Sequence, residues 1–253
     1  MQKIKFYKGI EIMRKKLVVI TGANSGIGRA TALKFYKLGY PLLLLDKNID
    51  EIKKLNLNNC LCEKVDVTDL ENYQYAVKKG KERFGEIGTL INNAGVMLAD
   101  TIETQNQKEW QAMLNINVMG VMNGLNCILK EMKKNEFGTI INLGSVAGKK
   151  AFQNHAVYCG TKAAILMISE NIRQDIAESN IRVVTISPGA VATNLLTQMS
   201  NKEIQEASSE WQKNLGNEIL NADNIADAML YAHEQPQHVC IREIVIAPTK
   251  QVP

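Results

Sequence analysis

Short runs of apolar residues recur along the chain, each followed by a stretch whose apolar positions return every three or four residues. KLVVI (16–20) precedes GIGRATALKFYKLG (26–39), and PLLLLD (41–46) precedes a polar, helix-like segment and a strand near 60–65. A charged helix at 70–84 leads to TLINNAG (89–95), and a helix at about 106–132 leads to GTIINLGS (138–145). A long helix at 157–178, the strand IRVVTISPG (181–189), a helix near 222–234 and REIVIAP (242–248) complete the series. These apolar runs do not alternate with polar residues, so both faces of the sheet they form should be covered, as in parallel sheets. Seven strands separated by helical layers predict an α/β fold: one doubly wound domain whose seven-stranded parallel sheet carries helices on both faces.

No Pro/Gly-rich linker divides the chain, so residues 13–253 read as a single domain. Residues 1–12 precede a second methionine, Met13, and are read as an extension without a role, either a late-start artefact or a poorly ordered arm. With 253 residues, 45% of them hydrophobic, the chain can bury one large core. Thirty basic and 26 acidic residues leave a net charge of only +4. The basic residues are dispersed apart from MRKK (13–16) and VKKGKER (77–83), which argues against a nucleic-acid partner. No run reaches the roughly 18–20 consecutive apolar residues of a membrane span, and no leader pattern opens the chain. Five scattered cysteines form no metal-ligand pattern, and Cys60 and Cys62 are expected on opposite faces of a strand. Reduced thiols, no metal and a cytoplasmic location are the corresponding expectations.

The chemistry-bearing residues sit at strand ends. TGANSGIG (21–28) lies between the first strand and the first helix. There Gly22 permits a tight turn, Gly26 the close approach of a pyrophosphate and Gly28 close helix–strand packing. The helix N-terminus behind them presents unpaired N–H groups to phosphate oxygens. Asp46 closes the second strand, where a carboxylate accepts hydrogen bonds from ribose hydroxyls and repels a 2′-phosphate; this favours NAD over NADP. Lys47 beside it works against that preference. Asp66 ends the third strand, with Val67 after it, and faces the adenine edge; Asn93, Ala94 and Gly95 end the fourth, near the cofactor. Tyr158 and Lys162, four apart in YCGTK, share one face of a helix, with Ser145 thirteen residues earlier. Taken alone, that spacing is common in structural helices.

Together these motifs resemble the short-chain dehydrogenase/reductase family in its ordinary class of about 250 residues. TGANSGIG, NNAG, Asn117 in MLNINVMG, Ser145, YCGTK and SPG (187–189) occur in the family's order, and the likeness covers about residues 15–248. GTIINLGSVAGKK and CIREIVIAPTKQ resemble bacterial oxidoreductases related to 3-hydroxy acid dehydrogenases. Many of these carry an uncharged residue and an arginine where this chain has Asp46 and Lys47.

The resemblance implies a Rossmann fold and an oxidoreductase acting on CH–OH groups. Tyr158 would be the general acid/base. Lys162 would favour the phenolate and hold the nicotinamide ribose, Ser145 would hydrogen-bond the substrate oxygen, and Asn117 would keep a helix locally open for a water-linked proton relay. Asn24, Ser25 and Ile27 join the glycines as cofactor contacts, as do Pro188, Gly189, Val191 and Thr193 at the nicotinamide. The implied substrate is a secondary alcohol or hydroxy acid, or the matching ketone. Residues 194–220 would cover it, with Met97, Phe152, His155 and Cys159 as further pocket candidates, His155 more as a packing residue than a catalytic one. A carboxylate substrate calls for an arginine, and Arg173, Arg182 and Arg242 are the available ones. Helices 106–132 and 157–178 resemble the family's dimer interface, and the tail PTKQVP could close a tetramer. Two alternatives stand beside this reading: an NADP-dependent carbonyl reductase and a nucleotide-binding regulator without turnover.

Overall fold

The computed structural model describes residues 15–216 and 219–251; the expected N-terminal extension lies outside that range. Seven strands form one sheet in the order β3-β2-β1-β4-β5-β6-β7. They are β1 (Leu17–Thr21), β2 (Leu42–Asp46), β3 (Cys60–Lys64), β4 (Ile87–Asn92), β5 (Gly138–Leu143), β6 (Ile181–Pro188) and β7 (Glu243–Ile246), and every pairing is parallel. The sheet is therefore the doubly wound one expected. Its order reverses between β1 and β4, where such sheets open a crevice at their carboxyl ends.

Alternation along each strand distributes apolar side chains to two cores. Leu17, Val19, Leu43 and Leu45 point to the face covered by α3 (Leu70–Phe84), α5 (Gly120–Lys134) and α6 (Ala156–Asp175). Val18, Ile20, Leu42 and Leu44 point to the face covered by α1 (Gly26–Lys37) and α8 (Ala222–Glu234). Because residues two apart on a strand share a face, Cys60 and Cys62 both pack in this second core. That corrects the expectation that they diverge.

Three further elements depart from the sequence reading. The polar segment after β2 yields only α2 (Asp50–Lys53). β4 ends at Asn92, so Asn93, Ala94 and Gly95 lie in the loop beyond it. The helix expected over 106–132 is α4 (Gln107–Leu114), a π-helical turn at Asn115–Met119, and α5. By length and composition this composite of 107–134 is apolar enough to cross a membrane. Here Val121, Leu125, Ile128 and Met132 are buried against the sheet. The segment expected over the substrate contains a short 3₁₀ turn (Leu196–Gln198) and α7 (Lys202–Asn214).

Candidate active site

A cavity of about 970 Å³ opens at the carboxyl ends of β1, β4, β5 and β6. One end is formed by Gly22, Ser25, Gly26 and Ile27 with Asp46, Lys47, Asp66 and Val67; Asn93, Ala94 and Gly95 continue the wall. Ser145, Tyr158 and Lys162 stand in the middle, with Pro188, Gly189, Val191 and Thr193 opposite. The far end is closed by residues of the 195–212 segment.

The glycine loop is held by backbone geometry. Gly22 has φ +65°, and a β-carbon there would lie 2.8 Å from Asn93 Nδ2 and 2.9 Å from the Ala94 Cα. Gly28 has less room still: its β-carbon would meet the Gly22 carbonyl oxygen at 2.1 Å. Gly28 thus lets α1 approach the loop without lining the cavity. Asn93 braces the loop by donating Nδ2 to the Thr21 and Gly22 carbonyls (2.9 and 3.1 Å). Ser25 makes no side-chain cap, and the first turn of α1 holds no acidic residue. The N–H groups of that turn are left for an outside anion, which fits a dinucleotide pyrophosphate.

Asp46 is fixed at the cavity wall because its Oδ2 accepts from the Asn24 N–H (2.9 Å) and its Oδ1 from the Asn48 N–H (3.1 Å). Asn24 is not in the wall. Its Oδ1 accepts from the Ile52 N–H (3.0 Å), so it joins the loop to α2. Lys47 is exposed and lies 3.5 Å from the Asp66 carboxylate. Burial alone would raise the Asp66 carboxyl, but hydrogen bonds from the Thr68 N–H and hydroxyl, with Lys47, hold it below its ordinary value.

Tyr158 and Lys162 are adjacent turns of α6, with the Lys162 Nζ 5.8 Å from the centre of the phenol ring. Lys162 donates to the Leu143 carbonyl (2.8 Å), and burial pushes its amine down to about 8. Burial pushes the Tyr158 phenol up to about 12, partly offset by the neighbouring Ser145 hydroxyl. Desolvation is the largest influence on the phenol here, and the lysine expected to favour the phenolate gives its ammonium to the Leu143 carbonyl. Ser145 begins the 3₁₀ turn Val146–Gly148, accepting from the Ala147 N–H (3.1 Å) and donating a long bond to the Pro188 carbonyl (3.4 Å).

Asn117 is 1% exposed and stands behind the cavity wall. The π-turn aims its side chain at the loop after β4. Oδ1 accepts from the Val96 N–H (2.8 Å), and Nδ2 donates to the Val96 carbonyl (2.9 Å) and to Thr161 Oγ1 (3.1 Å). Of the other pocket candidates, Met97, Phe152 and His155 line the cavity. Cys159 does not; its thiol faces the Lys150 carbonyl. His155 packs edge-on against Phe152 and Tyr158, both at 6.4 Å between ring centres.

Gln251 was not foreseen. Its side chain lines the cavity, and its Oε1 accepts from the Ala190 N–H (2.8 Å), filling the space a Gly189 side chain would need. A polar residue of the tail, 61 positions from its partner, leaves no local signal in sequence.

The sequence pattern of the short chain dehydrogenase family matches residues 16–204. An uncharacterized oxidoreductase of Staphylococcus saprophyticus is 38% identical over 245 residues, covering 94% of this chain and 98% of the relative. Among solved structures, the closed form of a serine dehydrogenase complexed with NADP+ superposes with TM-score 0.82 at 25% identity, covering 94% of this chain and 96% of that one. An alcohol dehydrogenase from the archaeon Thermococcus sibiricus, complexed with 5-hydroxy-NADP, gives TM-score 0.82 at 26% identity, covering 94% and 99%.

Proposed function

Because this chain belongs to the short-chain dehydrogenase family, we propose that it transfers a hydride between a nicotinamide cofactor, NAD in preference to NADP, and a small secondary alcohol or the matching ketone. One observation carries the reading. Ser145, Tyr158 and Lys162 share a single cavity with the uncapped N-terminus of α1 and with Asp46.

The cofactor, when bound, supplies the hydride acceptor or donor. The first turn of α1 and the glycine loop would hold its pyrophosphate, and Asp46 the adenosine ribose hydroxyls. Tyr158 as the phenol would donate its proton to the carbonyl oxygen in reduction, and as the phenolate would take the alcohol proton in oxidation. Ser145 hydrogen-bonds the same oxygen and steadies charge developing there. Lys162 holds the nicotinamide ribose, and protonated it would ease loss of the phenolic proton during oxidation. Asn117 positions these groups from behind by clamping Val96. Residues 194–216 would form the cover, and closure would exclude water. A homodimer or homotetramer accords with the exposed Met119, Met122 and Met167.

The names of the solved relatives, both with NADP-type ligands, favour a second reading as an NADP-dependent carbonyl reductase. Lys47 would then meet the 2′-phosphate, although it already faces Asp66. Titration of the purified protein with NADH and NADPH, followed by fluorescence, separates the two. NADH is expected to bind at least tenfold more tightly, and Asp46→Ala with Lys47→Arg should move the ratio toward NADPH. Tighter NADPH binding, or a ratio that the double substitution leaves unchanged, overturns the assignment of Asp46.

A further inference from the structure

A carboxylate-bearing substrate needs a cation within reach of the reacting carbon, and the sequence offered three arginines. All three are elsewhere. Arg173 donates to the Val183 carbonyl (2.9 Å) and pairs with Glu170. Arg182 is buried and donates to Thr139 Oγ1 and to the carbonyls of His233 and Gln235 (2.7, 2.8 and 2.6 Å). Arg242 precedes β7 and lies outside the cavity wall. Among the described residues, the lysines and arginines of the wall reduce to Lys47 and Lys162. Lys47 faces Asp66 at the cofactor end, and Lys162 is bound to Leu143 beneath Tyr158.

The far end of the cavity is apolar with acceptors set into it. Met97, Phe152, Ile204 and Trp211 supply the apolar surface. Glu203, in the first turn of α7, lines this end and is solvent-exposed. Its neighbour Lys202 gives its ammonium to Gln205 (3.0 Å) rather than to Glu203. His155 donates from Nδ1 to the Gln153 carbonyl (2.6 Å). An acid in the first turn suits the helix dipole. That explains its place on α7 but not its presence in the cavity wall.

We propose that Glu203 is a specificity-determining residue and that the substrate is a secondary alcohol or ketone with an apolar or amine-bearing arm, carboxylates being rejected. The identity of the reacting carbon rests on the hydride-transfer reading; the charge discrimination rests on the cavity alone. This narrows the class implied by the sequence, because it removes hydroxy acids. A like charge at this end of a half-wet site is expected to change binding by roughly tenfold.

The test uses three ligands of matched length: 2-pentanol, 4-amino-2-butanol and 3-hydroxybutyrate. Each is assayed for reduction of NAD or NADP, and separately for quenching of tryptophan emission in the enzyme–NADH complex, since Trp211 is in the wall. The amino alcohol and 2-pentanol should bind and turn over at least tenfold better than 3-hydroxybutyrate. Glu203→Lys should lower the preference for the amine over the carboxylate by tenfold or more. Equal or better binding of 3-hydroxybutyrate, or an amine-to-carboxylate ratio unmoved by Glu203→Lys, overturns the proposal. Quenching in the expected order without reduction of either cofactor upholds the charge discrimination and overturns hydride transfer instead.

Discussion

Replacing Asn117 with alanine isolates what the π-turn contributes. The side chain makes three hydrogen bonds, two of which clamp both polar groups of the Val96 backbone. Each is worth about 1 kcal/mol net. Thr161 keeps another partner, the Tyr158 carbonyl at 2.7 Å, so its share of the loss is small. Val96 is only partly buried, and water can recover part of its loss. A destabilisation of about 1–2 kcal/mol follows, which for a chain of this size lowers Tm by roughly 3–6 °C. Function should suffer separately. A β-carbon on Gly95 would lie 3.2 Å from Asn117 Oδ1 and 3.8 Å from Lys162 Nζ, so slack in this loop loosens the wall beside the lysine. Calorimetry with NADH titration measures both effects, and the variant should bind NADH about tenfold more weakly at a temperature where it is fully folded. Asn117→Asp, which keeps the acceptor and loses the donors, should fall between wild type and alanine in Tm. A Tm within 2 °C of wild type together with unchanged NADH affinity would refute the clamp.

Two further outcomes follow from groups away from the reacting centre. Burial, with Arg182 and Lys15, pushes the His233 imidazole down to about 4, where it meets Thr89 Oγ1 at 3.0 Å and packs between Phe35 and Tyr40. Its depressed value means that its contribution is complete above pH 6.5 and lost as pH falls toward 4. At most, roughly 3 kcal/mol is lost, and His233→Gln should flatten the fall in Tm across that window; a curve of unchanged slope would count against it. Gln251→Ala removes the acceptor of the Ala190 N–H. NADH binding should weaken about fivefold, equivalent to about 1 kcal/mol, with Tm little changed; a drop in Tm without loss of affinity would make the tail a stability element only.

Much of this arrangement is written locally in the chain. Apolar runs such as LVVIT and LLLLD specify strands buried on both faces, and their odd and even positions separate into the two cores. The glycine loop, Ser145, Tyr158 and Lys162 were legible because each motif lies at the carboxyl end of a strand or on the helix that follows, where the parallel fold must gather them. The π-turn was not legible, since one extra residue per turn leaves the apolar periodicity of 107–134 almost unaltered. Gln251 and the fates of the three arginines depend on contacts between distant segments, which no spacing rule encodes. The full environment of Tyr158 was not legible for a related reason. The lysine's charge can be read from its position four residues on, whereas desolvation of the phenol depends on everything packed around it.

The central claim, that this cavity moves a proton on Tyr158 as a hydride is exchanged, is tested most directly by Tyr158→Phe. Cofactor reduction with 2-pentanol and NADH affinity should be measured on the same preparation. Turnover should fall at least about a hundredfold, since positioned acid/base catalysis contributes roughly 10²–10⁴-fold, with NADH binding within threefold of wild type. Turnover comparable to wild type would contradict it.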